Sequence, residues 1–191
     1  MAIVVVAIGV GIAPQGPVVG VEVLPISAID GSADALQPAE RILPAWPDNF
    51  PMQVTPRCDV LDNFGDPRSG GRIHQGSDIL ATLGQAVYAM GDGTLTHQYV
   101  ASGANASLSG NAWRLKRSDS ATYYFYAHLS GFAPGLVVGS AVRRGQLIGF
   151  VGDTGNPGPG NYHLHFEIHP NGGAAVNPLP LLTIPPGCKI Y

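Results

Sequence analysis

Charge is scarce in this chain. Only 12% of its residues are Asp, Glu, Lys or Arg, and the net charge is -3. That balance supplies no basic footprint for a nucleic-acid partner. Cysteine is scarcer still. The two cysteines, Cys58 and Cys188, cannot build a Cys-based zinc site or a dense disulfide framework. In an exported protein they would allow one bridge, closing a loop of about 130 residues. Apolar residues at helical spacing are missing over any long stretch, and no internal repeat occurs. The Gly- and Pro-rich segment 152–161 is followed by no Gly-Lys-Ser/Thr and by no helix pattern, which excludes a phosphate-binding loop. Lys and Arg are absent from the first forty residues.

What is present is Gly, Pro and short apolar runs: 26 glycines and 17 prolines in 191 residues. Short runs broken by turn residues predict an all-β or β-dominated domain. Residues 1–26 open with the apolar run Ala2 to Ala13, about the length of a signal-peptide core and short for a membrane span. They are expected to be an export signal or signal-anchor, although the basic start of a signal peptide is missing; a hydrophobic strand is the alternative. Residues 27–57, carrying Pro38, Pro44, Pro47, Pro51 and Pro56, read as an extended linker. Trp46 and Phe50 are candidates to pin it to the domain that follows over 58–191. Within that domain 87–90 and 93–100 are expected to form a hairpin around Gly91-Asp92-Gly93. A second hairpin is expected from 112–117 and 122–127, and two further strands over 137–142 and 146–151.

The most informative stretch is Tyr162-His163-Leu164-His165-Phe166-Glu167-Ile168-His169. With the strand period of two, Tyr162, Leu164, Phe166 and Ile168 share one face. His163, His165, Glu167 and His169 share the other. Two imidazoles one pleat apart can hold one metal, or one can hold it while the other faces substrate. His169 is expected at the exposed end of this stripe. A second stretch, His74-Gln75-Gly76-Ser77-Asp78, reads as a loop entering a strand, with Gly76 letting His74 and Asp78 converge. A His and a carboxylate at short spacing, with another His elsewhere, suit a catalytic metal site. His128 is expected where a strand ends and a turn begins. His97 is expected to be an ordinary strand histidine, and Arg114, Lys116 and Arg117 a solvated strand face. Arg68 and Arg72 are expected either to pair with nearby acids or to meet substrate carboxylates.

His74-x-x-x-Asp78, Tyr126-Ala127-His128-Leu129 and His163-Leu164-His165-Phe166-Glu167, in that order, resemble the lysostaphin/LytM-type (M23) family of zinc metallopeptidases, which cut bacterial cell-wall peptides. The resemblance runs from about Phe64 to Pro178. It implies an antiparallel sheet with a substrate groove, and a Zn2+ held by His74, Asp78 and His165. It also implies that His128 and His163 sit beside the metal as catalytic groups. Glu167, next on the same strand face, is a candidate to hold a ligand imidazole through a hydrogen bond. The implied substrate is a peptidoglycan peptide, which places the protein outside the cytoplasm, with membrane contact only through the N-terminal segment. The loop ahead of His163 is Pro-rich and ends in Tyr162, where family members commonly carry a small residue or proline. That departure bears on substrate choice. A regulator of the same family that binds a wall hydrolase without cutting is the alternative, and such members usually lack some of the ligands present here. A sugar-transport phosphocarrier, also β-rich with paired histidines, would not need His74 with Asp78.

Overall fold

The computed structural model describes residues 49–102 and 108–191. Among these there is no α-helix, as the missing helical periodicity requires. Twelve strands and three single turns of 3-10 helix lie among the described residues. The strands are β1 (Asp59–Val60), β2 (Pro67–Arg68), β3 (Arg72–Ile73), β4 (Ser77–Leu80), β5 (Ala86–Tyr88) and β6 (Gly93–Tyr99). They continue with β7 (Asn111–Arg117), β8 (Tyr123–Phe132), β9 (Ala141–Val142), β10 (Leu147–Val151), β11 (His163–His169) and β12 (Lys189–Ile190). Ten of them form one sheet along the path β12-β1-β4-β11-β8-β7-β6-β9, with β10 and β5 branching from β8. All its pairings are antiparallel except β1 with β12. β2 and β3 form a separate two-stranded ribbon.

The branch at β8 shapes the molecule. Its first half, up to Ala127, is laddered between β11 and β7. Its second half, from Leu129, pairs with β10. The change of partner occurs at His128, which lies at φ +63° inside the strand. A non-glycine residue in the left-handed region, with the register slipping beside it, marks a β-bulge that bends the strand. His128 therefore sits in a bulge within β8, not at the end of a strand as expected, and the alternation rule alone cannot see a bulge.

The second half of β8, with β10 and β5, supplies the other wall of the core. Leu164, Phe166 and Ile168 of β11 pack with Tyr124 and Tyr126 of β8 and with Trp113 and Leu115 of β7. Val87, Leu129, Ile148 and Val151 belong to the same cluster. Two of the large core side chains have their polar atoms satisfied within it. Trp113 Nε1 donates to the Ile148 carbonyl at 2.9 Å, and the Met90 N–H donates to the Tyr126 hydroxyl at 2.9 Å.

The 112–117/122–127 hairpin is present as β7 and β8. The 87–90/93–100 hairpin is not. β5 pairs with β10, whereas β6 pairs with β7 and β9. Ala86–Tyr88 is apolar and buried at every position, so it enters the core instead of folding back on a half-exposed neighbour. Val137 and Val138 lie outside the strands and are exposed; only Ala141–Val142 of that run is a strand. The N-terminal expectations fall mostly on residues 1–48, outside the described residues. Where description begins, Phe50 and Met52 are fully buried and Met52 bridges Val87. Phe50 thus pins the Pro-rich segment, and the packed domain takes in residues ahead of Cys58. Cys58 and Cys188 form a disulfide.

Candidate active site

The face of the sheet opposite the core forms the floor of an open groove of about 640 Å3. Alternation along β11 aims His163, His165 and Glu167 into it, while Leu164, Phe166 and Ile168 point to the core. Antiparallel pairing sets His165 opposite Asp78 on β4 and opposite Ala127 on β8. His74 arrives from the loop before β4. Gly76 lets that loop lie against β11, where a Cβ would sit 2.9 Å from His165 Cε1. The loop after β10 and the ribbon β2–β3 contribute walls, among them Asn156, Pro157, Arg72 and Ile73.

His74, Asp78 and His165 converge. His74 Nε2 lies 3.0 Å from Asp78 Oδ1 and 2.8 Å from His165 Nδ1, and His165 Nδ1 lies 3.0 Å from the same Asp78 oxygen. Each imidazole is fixed by its other nitrogen. A backbone carbonyl can only accept, so His74 Nδ1 donates to the Asn63 carbonyl at 2.8 Å. His165 Nε2 donates to Glu167 Oε1 at 2.8 Å. Both remaining ring nitrogens then turn lone pairs toward one point beside a carboxylate. Such a meeting of lone pairs calls for a cation between them. A tetrahedral ion with ligands at 2.0–2.1 Å would separate these atoms by roughly 3.3 Å, within a few tenths of an ångström of what is observed. The donor set, two neutral imidazoles and one carboxylate, fits a divalent metal with an open position.

The electrostatics agree. Burial would push the Asp78 carboxyl up, but the His165 and His74 rings against its Oδ1 outweigh it and hold Asp78 well below the usual carboxylate range. Arg68 and the Asn63 side chain also bind its second oxygen, at 2.9 and 2.8 Å. Burial would lower His165; Asp78 and Glu167 against its two ring nitrogens reverse this and raise it to about 9, so positive charge is favoured between the ring and Asp78, either a proton or the metal that would displace it.

His163 and His128 flank the trio. His163 Nδ1 donates to the Asn161 carbonyl at 2.9 Å, and its Nε2 stands 3.7 Å from Asp78 Oδ1. His128 Nδ1 donates to the Thr154 carbonyl at 2.8 Å. The two rings are 4.8 Å apart. Burial lowers both, His128 to about 4, helped by the neighbouring His163 and His165. Near neutral pH each is a neutral base with a free Nε2.

Every residue expected at the site is therefore in one groove. Arg68 pairs with Asp78, and Arg72 bonds only Ser69 among the hydrogen bonds described for it. His97 is an exposed strand residue. Arg117 pairs with Asp119, and the Arg114 guanidinium lies over the Tyr123 ring. His169 departs from expectation. It is 7% exposed, not solvated, because its ring stacks on Tyr123 and bonds Glu167. Asn63 was not singled out, and neither were the carbonyls of Thr154 and Asn161. Asn63 lies between β1 and β2, where nothing in the sequence marks a residue as the partner of an aspartate fifteen positions on.

Residues 72–178 match the model of peptidase family M23. The chain belongs to that family. Over 132 residues it is 34% identical to an L-Ala–D-Glu endopeptidase of Bacillus subtilis, covering 65% of this chain and 38% of the relative. It is 35% identical over 116 residues to the glycyl-glycine endopeptidase ALE-1 of Staphylococcus capitis, covering 59% of this chain and 30% of the relative. The chain thus spans little more than a third of the length of the first and less of the second. The catalytic domain of lysostaphin from Staphylococcus simulans superimposes with a TM-score of 0.53 at 30% identity. That match covers 62% of this chain and 87% of the other. The M23 matches take in the strands that carry the groove, and relatives of this family name different bonds.

Proposed function

We propose that this M23 domain is a zinc-dependent endopeptidase that hydrolyses peptide bonds in bacterial peptidoglycan. The observation that carries the reading is the convergence of His74 Nε2, Asp78 Oδ1 and His165 Nδ1, each held from behind. These three would hold the zinc. When bound, zinc polarises a scissile carbonyl and makes hydroxide available near neutral pH. His128 and His163 do the proton work. Both are neutral at neutral pH, so either can take the proton of the attacking water at Nε2 and pass it to the leaving amine. The Asn161 and Thr154 carbonyls keep those nitrogens aimed into the groove. The substrate class follows from the relatives' named activities and from a groove open enough to admit a peptide. The Cys58–Cys188 bridge supports action in an oxidising, extracytoplasmic compartment.

Digestion of purified peptidoglycans of several bridge types, with and without chelator, tests the reading. Fragments should appear only in metal-replete samples, and their mass spectra identify the bond. His128→Ala and His163→Ala should each lower turnover by at least about 100-fold while zinc content stays at the parent level. A chain that binds zinc but cleaves none of these substrates would instead fit the regulator alternative.

A further inference from the structure

Beyond the trio, the groove stripe of β11 continues into a second, buried arrangement. Glu167 uses both carboxylate oxygens. Oε1 accepts from His165 Nε2 at 2.8 Å, and Oε2 accepts from His169 Nε2 at 2.7 Å. His169 Nδ1 in turn faces the Gly173 carbonyl at 2.9 Å. Both ring nitrogens of His169 thus meet groups that only accept, an arrangement that favours hydrogen on both and a cationic ring. It matches the charge of Glu167, whose side chain is only 13% exposed. The His169 ring lies flat on Tyr123, with centroids 4.2 Å apart and planes 11° apart. The Arg114 guanidinium carbon stands 3.6 Å from the centre of that same Tyr123 ring. A free glutamate samples many rotamers. Here both ends of the carboxylate are tied, and the farther tie is itself held by a carbonyl and an aromatic face.

We propose that His169 is a positioning residue for the metal site, fixing Glu167 so that Glu167 fixes the orientation and tautomer of the His165 imidazole. The inference rests on reading His74, Asp78 and His165 as a metal site. Partners of this kind behind a ligand imidazole typically change metal affinity by about 10- to 100-fold. A farther residue acting through Glu167 belongs at the lower end of that range.

The test measures zinc affinity of the full chain by competition with a chromogenic chelator, and the absorption spectrum of the cobalt-loaded protein. His169→Phe keeps a ring on Tyr123 but removes the donor. It should weaken zinc binding about 10-fold and shift the cobalt bands. His169→Gln keeps a donor for Glu167 and should restore affinity to within about 3-fold and the parent spectrum. In a Glu167→Ala background, His169→Phe should cost nothing further, because the residue acts through Glu167. Parent affinity in H169F, failure of H169Q to restore it, or an equal loss in the Glu167→Ala background would each overturn the proposal. His165→Ala separates the two readings. If it leaves zinc binding intact, the metal site itself is misassigned. If it abolishes binding while H169F has no effect, only the role of His169 falls. Circular dichroism of every variant distinguishes a lost fold from a lost ligand, and the Glu167→Ala cycle decides should H169F alone misfold.

Discussion

His74, His128 and His163 each give Nδ1 to a backbone carbonyl, which leaves Nε2 for the groove. His165 is turned the other way, giving Nε2 to Glu167 and presenting Nδ1. These choices of nitrogen decide which ring atom each imidazole turns to the groove, and burial keeps His128 and His163 neutral there. His128 shows the consequence for stability. Burial, then its histidine neighbours, lower it from the usual 6.5 to about 4. Above the unfolded value both states are neutral and the group has no effect on folding. As pH falls below that value, the unfolded chain takes a proton that the folded chain resists, so stability falls until about pH 4. The full effect is on the order of 3 kcal/mol. His128→Asn keeps an amide donor for the Thr154 carbonyl and suits the left-handed backbone there. Urea unfolding of chelated samples between about pH 7 and about pH 4 should give a flatter stability curve for the variant than for the parent. Parallel curves would mean that His128 is not neutral in the folded protein. The chemistry-bearing residues were legible because residue type and alternation are local properties. Asn63 and the Thr154 and Asn161 carbonyls were not, since a backbone acceptor leaves no mark on the residue that carries it. His169 was misplaced because alternation gives a face and cannot tell whether that face is covered, here by Tyr123.

At the scale of elements, β4 and β11 make the site, and the loop ahead of β4 makes it close. Ser77 to Leu80 pairs with Phe166 to His163, so Asp78 and His165 are neighbours by register. A slip of one residue between the two strands would turn one of the pair to the core face and leave the other in the groove. The alternation of β11 was readable from sequence, and so was the β7–β8 hairpin, whose strands flank a short polar turn. The pairing of β5 with β10 was not, because that partner lies about sixty residues on and buried apolar runs carry no directional pattern. Gly76 tests the loop. A Cβ there would collide with the Phe166 carbonyl oxygen and stand 2.9 Å from His165 Cε1. The carbonyl belongs to the β11 ladder and cannot yield cheaply, so the loop or the imidazole must move. Gly76→Ala should cost about 1–3 kcal/mol in urea unfolding and lower metal content after dialysis against limiting zinc. Parent values of both would show that the loop has slack, and that His74 is held by Asn63 alone.

For the molecule as a whole, the connection that matters is between its last strand and the start of the site. The Cys58–Cys188 bridge spans 130 residues and stands one residue ahead of the parallel pair β1 and β12. β12 is two exposed residues long, so few contacts of its own keep it in place. Its end still reaches the site. The Tyr191 carbonyl accepts from the Asp62 N–H at 2.8 Å, and the next residue, Asn63, holds both His74 and Asp78. Closing a loop of this length stabilises by about 5 kcal/mol in the chain-entropy view, and removal of a native bridge commonly costs about 2–5 kcal/mol. The Cys58→Ser/Cys188→Ser double variant should lose stability in that range. The loss should also be uneven. Hydrogen exchange should quicken first at Asp62 and at residues 189–191, while amides of β11 and β8 stay protected up to global unfolding. If protection instead falls equally along β11, the bridge stabilises only through the unfolded chain, and β12 is not what steadies Asn63 beneath the histidines.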